Sequence, residues 1–192
     1  LEYNSYKVQQ VMNITDFGHL TSDADEGEDK MTLGLEREGL EPTLENMRTL
    51  ADTYISSFMD DIVQLNVDIN KIAFPRASDY IEAQIALIKT LLEKNYAYEL
   101  DDGVYFDTQN FPNYGVLGGQ ANSEQEAGVR VAPNPEKHDQ RDFVLWKKNP
   151  DLGWDSPWGI GFPGWHIECS GMIFSILGRQ IDIHTGGVEH IG

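Results

Sequence analysis

The feature that most constrains the fold is a change of hydrophobic period near residue 95. Before it, Leu44, Met47, Leu50, Tyr54, Phe58, Ile62 and Leu65 recur at three- and four-residue steps. That spacing predicts one long amphipathic helix, opened by Pro42-Thr43. Ile81, Ile85, Ile88 and Leu92 repeat the pattern, so a second helix is expected from Ser78-Asp79, with Asp79 and Glu82 at capping-box spacing. Both stripes are expected in the core. After the change, residues 96–100 and 104–107 flank Asp101-Asp102-Gly103. This predicts a β-hairpin whose Asp-Gly pair supplies the positive φ angles of its turn.

The remaining segments fit around these elements. Residues 8–15 (VQQVMNIT) read as a buried strand of a parallel sheet, ending at the loop signal Asp16-Phe17-Gly18. Residues 23–29 hold five acids in seven positions. They read as a solvated acidic loop, or loosely as a calcium-type loop without its later glycine and terminal glutamate. Residues 66–73 read as a loop or short strand, residues 108–141 as an irregular excursion, and residues 143–147 as a short strand. Residues 154–163 hold two Trp, two Gly and two Pro, which predicts a rigid aromatic loop. A helix is expected from Gly164 to Leu177, with Gly178 in the C-terminal glycine position. Residues 180–184 (QIDIH) read as a strand ending in the turn Thr185-Gly186-Gly187. Strand–helix–strand order at both ends predicts an α/β fold, with the hairpin region inserted between.

Composition narrows the function classes. With 14 Lys+Arg against 32 Asp+Glu, the formal net charge is −18, which disfavours a stand-alone nucleic-acid binder. Forty per cent hydrophobic residues exclude a wholly disordered chain. One cysteine excludes an internal disulfide framework. No apolar run approaches the ~20 residues of a membrane span, and Leu1-Glu2-Tyr3-Asn4 has no signal core. A cytoplasmic protein is expected, with no signal for a particular oligomeric state. The chain starts at Leu1 rather than Met and stops at Gly192 after a glycine-rich turn, so it reads as an internal piece of a longer protein.

Chemistry can sit at three places. His184, Gly186 and Gly187 lie at the carboxyl end of a predicted strand, where open α/β sheets bind ligands, and Glu189 is placed to accept a ribose hydroxyl. A tight polar turn has the same spelling. Thr15 and Asp16 end the other predicted strand, either facing the same crevice or forming an ordinary polar terminus. Cys169 fits three roles: a small buried hydrophobe, a metal ligand, or a nucleophile with His166 three residues before it.

Seven segments carry a resemblance. They are Asn13-Ile14-Thr15-Asp16, Pro75-Arg76-Ala77-Ser78, Asp102-Gly103-Val104-Tyr105-Phe106-Asp107, Asp142-Phe143-Val144-Leu145-Trp146-Lys147, Ser156-Pro157-Trp158-Gly159, Pro163-Gly164-Trp165-His166-Ile167-Glu168-Cys169-Ser170 and Asp182-Ile183-His184-Thr185-Gly186-Gly187. In this order they resemble the catalytic region of cysteinyl-tRNA synthetases, a class I aminoacyl-tRNA synthetase family. The resemblance implies a partial Rossmann-like nucleotide-binding fold with an inserted α+β connective domain. Residues 1–95 would be its first part, 96–162 the insertion and 163–192 its second part. It implies activation of L-cysteine with ATP and Mg2+ to cysteinyl-adenylate, then transfer to tRNA(Cys). It also implies a zinc ion that holds the substrate thiolate and so discriminates against serine.

By motif match, Cys169 is implied as a zinc ligand, Thr15, Trp165 and His184 as cysteine contacts, and Gly186, Gly187 and Glu189 as the adenosine turn. Glu189 stands where the family often has Asp. The family's other cysteine ligand and its His-Ile-Gly-His signature are expected before Leu1. His190-Ile191-Gly192 spells part of that signature but follows the wrong element. The remaining His and Glu ligands, the Lys-Met-Ser-Lys-Ser loop and the tRNA-reading domain are expected after Gly192. The 192 residues alone are therefore expected to be inactive and without tight zinc binding. Residues 21–30 look like a variant acidic insertion. Two other readings share these motifs: the cysteine ligase of mycothiol synthesis, and a non-catalytic synthetase-like binding module.

Overall fold

A computed structural model of the protein describes residues 1–17, 30–116 and 134–187. The acidic stretch 23–29, Glu189 and residues 190–192 lie outside the described residues. Strand β1 (Gln10–Val11) pairs in parallel with β2 (Ile72–Ala73), Gln10 opposite Ile72 and Val11 opposite Ala73. The pairing continues past the strands: Ile14 N–H donates to the Pro75 carbonyl at 2.8 Å and Ala77 N–H to the Ile14 carbonyl at 2.9 Å. The parallel direction agrees with expectation, but the strand is shorter than residues 8–15 and half-exposed rather than buried. Among the described residues only one strand flanks β1, and Pro75 has no N–H to extend the ladder.

Helix α1 (Lys30–Glu38), which the hydrophobic pattern did not announce, packs on α2 (Leu44–Gln64) with Leu35 fully buried. Thr43 caps α2 by accepting the Asn46 N–H at 3.1 Å, as the sequence suggests. The stripe of α2 is buried only in part. Met47, Leu50, Ala51 and Ile62 are inside, whereas Tyr54 and Leu65 are 65% and 75% exposed. Phe58 also reaches solvent. The reason is length: at ~1.5 Å per residue, α1 covers less than half of α2.

A 3-10 turn, Ala77–Tyr80, leads into α3 (Ile81–Glu93), which buries Ile81, Ile85 and Ile88 and packs Leu92 against the core. The expected Asp79–Glu82 capping box does not form. Asp79 sits inside the 3-10 turn, and its carboxylate takes the Arg48 guanidinium at 2.9 Å instead.

Strands β3 (Ala97–Leu100), β4 (Gly103–Phe106), β5 (Phe143–Lys148) and β6 (Gly161–Pro163) form an antiparallel sheet in that order. The hairpin is present, but its turn is Asp101-Asp102, because Leu100 already pairs with Gly103. Gly103 has no positive φ. Its value is close approach: a Cβ there would lie 2.3 Å from the Trp146 carbonyl oxygen of β5. The aromatic loop is held by ring contacts, with Phe17 at 4.6 Å from Trp154 and Trp154 at 5.5 Å from Phe162, and its end forms β6.

Helix α4 (Trp165–Ile176) lies against α3, the 3-10 turn and β5, and Gly178 follows it with φ 87°. The strand expected over residues 180–184 does not form: residues 179–187 carry no regular secondary structure and are largely exposed. An alternating pattern makes a strand only beside an edge that accepts its hydrogen bonds. Among the described residues no strand lies beside this segment. One core cluster joins Leu35, Met47, Ile81 and Ile88 to Val104, Leu145, Trp146, Ile167 and Met172. Among the described residues no helix is long and apolar enough to cross a membrane.

Residues 108–116 and 134–142 contain only turns and bends, as expected, yet they are pinned together. The buried Asp142 carboxylate accepts the Thr108 N–H at 2.8 Å, the Thr108 hydroxyl at 2.7 Å, the Tyr98 hydroxyl at 2.7 Å and the Asp139 N–H at 3.0 Å. Asp142→Ala would orphan these donors and is expected to destabilise the fold by about 3 kcal/mol. Asp142→Asn, which keeps the shape, is expected to cost less. Denaturant unfolding of both variants checks the order.

Candidate active site

The residues singled out by sequence gather, in part, where the β1 run meets the start of α4. The buried face of α4 is Ile167, Glu168, Gly171 and Met172. Trp165 and Cys169, four residues apart, share one flank beside that face. Trp165 is 39% exposed and Cys169 half-buried. Thr15 is half-buried and its hydroxyl accepts the Asn13 side-chain N–H at 3.4 Å. Asp16 is buried, with one carboxylate oxygen accepting the Ser78 N–H at 3.0 Å and the other the Ser78 hydroxyl at 2.6 Å. Arg48 reaches the same Ser78 hydroxyl at 3.3 Å.

Glu168 was not among the sequence candidates, although a lone acid between Ile167 and Met172 on an apolar helix was a readable signal. It is fully buried, and neither carboxyl oxygen closes a hydrogen bond among the described residues. Burial pushes its pKa well above the ordinary glutamate value. The Thr15 hydroxyl works against that rise and the nearby Asp16 carboxylate adds to it. The neutral acid is favoured, and a neutral carboxyl can donate as well as accept.

Burial also pushes the Cys169 thiol up, and Glu168 adds to the effect. A raised thiol is a poor nucleophile, so the Cys169–His166 option loses support. The His166 ring lies 4.4 Å from that of Phe143 and 5.3 Å from that of Trp165. Among the described residues no group of three or more His, Cys, Asp or Glu side chains is arranged to hold a metal ion. These residues therefore do not by themselves make a zinc site, and Cys169 supplies at most one ligand.

His184, Gly186 and Gly187 are exposed in the segment after α4. Among the described residues no hydrogen bond or ring contact joins them to Thr15, Trp165 or Cys169. Their placement at a strand end is corrected with the loss of that strand.

The Glu168 shift has a sign. A carboxyl whose folded pKa lies above its unfolded value binds more protons when folded. Its stabilising contribution is complete at low pH and is lost as pH rises through the folded value. Glu168→Gln removes that loss. The variant is expected to melt higher than wild type near pH 8, with the gap closing as pH falls toward the ordinary glutamate range. The limiting slope is about 1.4 kcal/mol per pH unit, and thermal melts across that range check it.

Comparison with known proteins accounts for the motifs. The family model described as tRNA synthetases class I (C) catalytic domain matches residues 1–191. The chain is 49% identical over 192 residues to the cysteine–tRNA ligase of Deinococcus radiodurans, covering 98% of this chain and 37% of that protein. It is 46% identical over 191 residues to the cysteine–tRNA ligase of Chlorobium chlorochromatii, covering 97% of this chain and 38% of that protein. The figures for the cysteine–tRNA ligase of Thermus thermophilus are 46% identity over 190 residues, 97% of this chain and 38% of that protein. The chain thus spans less than two-fifths of the length of these relatives. With a match that runs through Thr15, the whole of α4 and the glycine turn, the chain belongs to the class I (C) tRNA synthetase catalytic-domain family.

Proposed function

We propose that the protein carrying this chain activates L-cysteine with ATP and Mg2+ to cysteinyl-adenylate and transfers the cysteine to tRNA(Cys). The observation that carries this reading is the likeness along nearly the whole chain, at 46–49% identity, to proteins named cysteine–tRNA ligase. In this reading the fold is the nucleotide-binding fold of the class, and residues 96–162 are its connective insertion. Thr15, Trp165 and His184 contact the cysteine, and Gly186, Gly187 and Glu189 receive the adenosine. Cys169 gives one ligand to a zinc ion completed by residues outside this chain. When bound, that zinc would take the substrate sulfur as a thiolate, which a serine hydroxyl does not match.

The chain's own residues do the positioning. The exposed Trp165 indole offers an apolar wall beside Cys169. The Thr15 hydroxyl, held by its place after the parallel pair, offers a polar contact to the amino acid. Keeping Glu168 neutral spares the pocket a second negative charge next to Asp16.

ATP–pyrophosphate exchange by the full-length protein tests the reading. Cysteine is expected to support exchange and serine is not. Thr15→Val is expected to raise the KM for cysteine about three- to tenfold, the worth of one hydrogen bond, with a smaller change in kcat. Exchange without cysteine dependence would overturn the reading. Transfer to an amino sugar rather than to tRNA would replace it with the mycothiol-type ligase.

A further inference from the structure

Glu168 is the one acid of α4, and the helix turns it into the core beside Ile167, Gly171 and Met172. A Met or Leu would suit that face, and burying a carboxyl costs free energy unless its oxygens are used. Both oxygens are closed off from solvent, and neither closes a hydrogen bond among the described residues. The groups that act on the carboxyl are the Thr15 hydroxyl and the Asp16 carboxylate. Neither is a cation that would make this acid half of an ion pair. Asp16 has both of its oxygens engaged by Ser78, which leaves the Thr15 hydroxyl as the partner.

The backbone at Thr15 is tied on both sides. Before it, Ile14 bonds to Pro75 and Ala77, and after it Asp16 holds Ser78. What stays free is the direction of the hydroxyl, which carries one proton and two lone pairs. The Asn13 side-chain N–H donates into one lone pair at 3.4 Å. With its proton turned outward, the hydroxyl would meet an amino acid as a donor, suited to the carboxylate. With its proton turned to Glu168, it keeps one lone pair and meets the amino acid as an acceptor, suited to the ammonium.

We propose that Glu168 is a positioning residue: one of its carboxyl oxygens takes the Thr15 hydroxyl proton and so fixes that hydroxyl as an acceptor for the ammonium of the bound amino acid. The inference rests on the proposed synthetase reading, in which Thr15 contacts cysteine, and adds the residue behind that contact. Active-site hydrogen bonds are often long before substrate binds and tighten in the complex, and docking of the amino acid closes this one. An acceptor oxygen is present whether the carboxyl is charged, neutral or replaced by an amide, so the arrangement does not depend on protonation.

The test is ATP–pyrophosphate exchange by the full-length protein and two variants. Glu168→Gln keeps an acceptor oxygen, and Glu168→Met keeps the bulk without one. Glu168→Met is expected to melt no lower than wild type, because a buried polar group without a closed bond is removed. It is nevertheless expected to raise the KM for cysteine about three- to tenfold, with little change in kcat or in the KM for ATP. Glu168→Gln is expected to stay within about twofold of the wild-type KM, a rescue that bulk alone does not provide. In a Thr15→Val background Glu168→Met is expected to add less than about twofold, since the interaction it removes is already gone. Inhibition by β-mercaptopropionate, a cysteine analogue without the ammonium, is expected to be equal in wild type and Glu168→Met. Glu168→Leu, likewise apolar, takes the same measurements should Glu168→Met fail to fold. Equal KM of the apolar variant and wild type, an equal loss in Glu168→Gln, additivity with Thr15→Val, or parallel weakening of β-mercaptopropionate would each overturn the positioning role and leave the synthetase reading in place. Exchange by wild type without cysteine dependence would overturn the synthetase reading and the positioning role with it.

Discussion

The close approach of α4 to α3 sets the rest of the site. It depends on Gly171, where an added Cβ would come within 2.7 Å of the Gln84 Cγ atom. With the helices this near, Glu168 one turn earlier has no route to solvent and is fully buried. Gln84, equally buried, uses its side-chain N–H to hold the Ala77 carbonyl at 3.0 Å. That bond fixes the 3-10 turn, which presents Ser78 to Asp16. Asp16 ends the run that follows β1 and places Thr15. A missing methyl group on one helix is thus linked, through the side chains of Gln84, Ser78 and Asp16, to the residue proposed to touch the amino acid.

The same packing sorts the charges. Asp16 keeps its carboxylate satisfied through two bonds from Ser78, whereas burial outweighs the pull of the Thr15 hydroxyl on Glu168 and favours its neutral acid. Two acids side by side in one interior are compatible because only one of them must carry charge. Farther along the sheet, Asp142 repeats the logic of Asp16: a buried carboxylate tolerated because it gathers donors from three segments. Through that contact the described residues 108–116 and 134–142 are pinned to one another.

Legibility in the sequence followed the range of each interaction. Helices α2, α3 and α4 and the β3–β4 hairpin were readable because their patterns repeat within a few residues. The exposure of Tyr54 and Phe58 was not, because it depends on how far α1 reaches along α2. Nor was the role of Gly103, since the spelling Asp-Gly suggests a turn while the reason for the glycine lies across the sheet at Trp146. Asp79 has the spacing of a cap but answers to Arg48, 31 positions away. Residues 180–184 have the pattern of a strand without an edge to join among the described residues. For the site, Thr15, Trp165 and Cys169 came from their spelling, and Glu168 came only from its burial.

By itself the sequence determined helices α2, α3 and α4, the β3–β4 hairpin, the family and the residue types available for chemistry, because these depend on local periodicity and on linear motifs. Tertiary structure decided which of those residues meet. It turned Glu168 inward and Trp165 outward, brought the Thr15 hydroxyl to Glu168 of α4, and left the residues around His184 without the strand their pattern suggests. The physical reason is that burial and close backbone approach arise between elements distant in the chain, and no short window of sequence contains both partners.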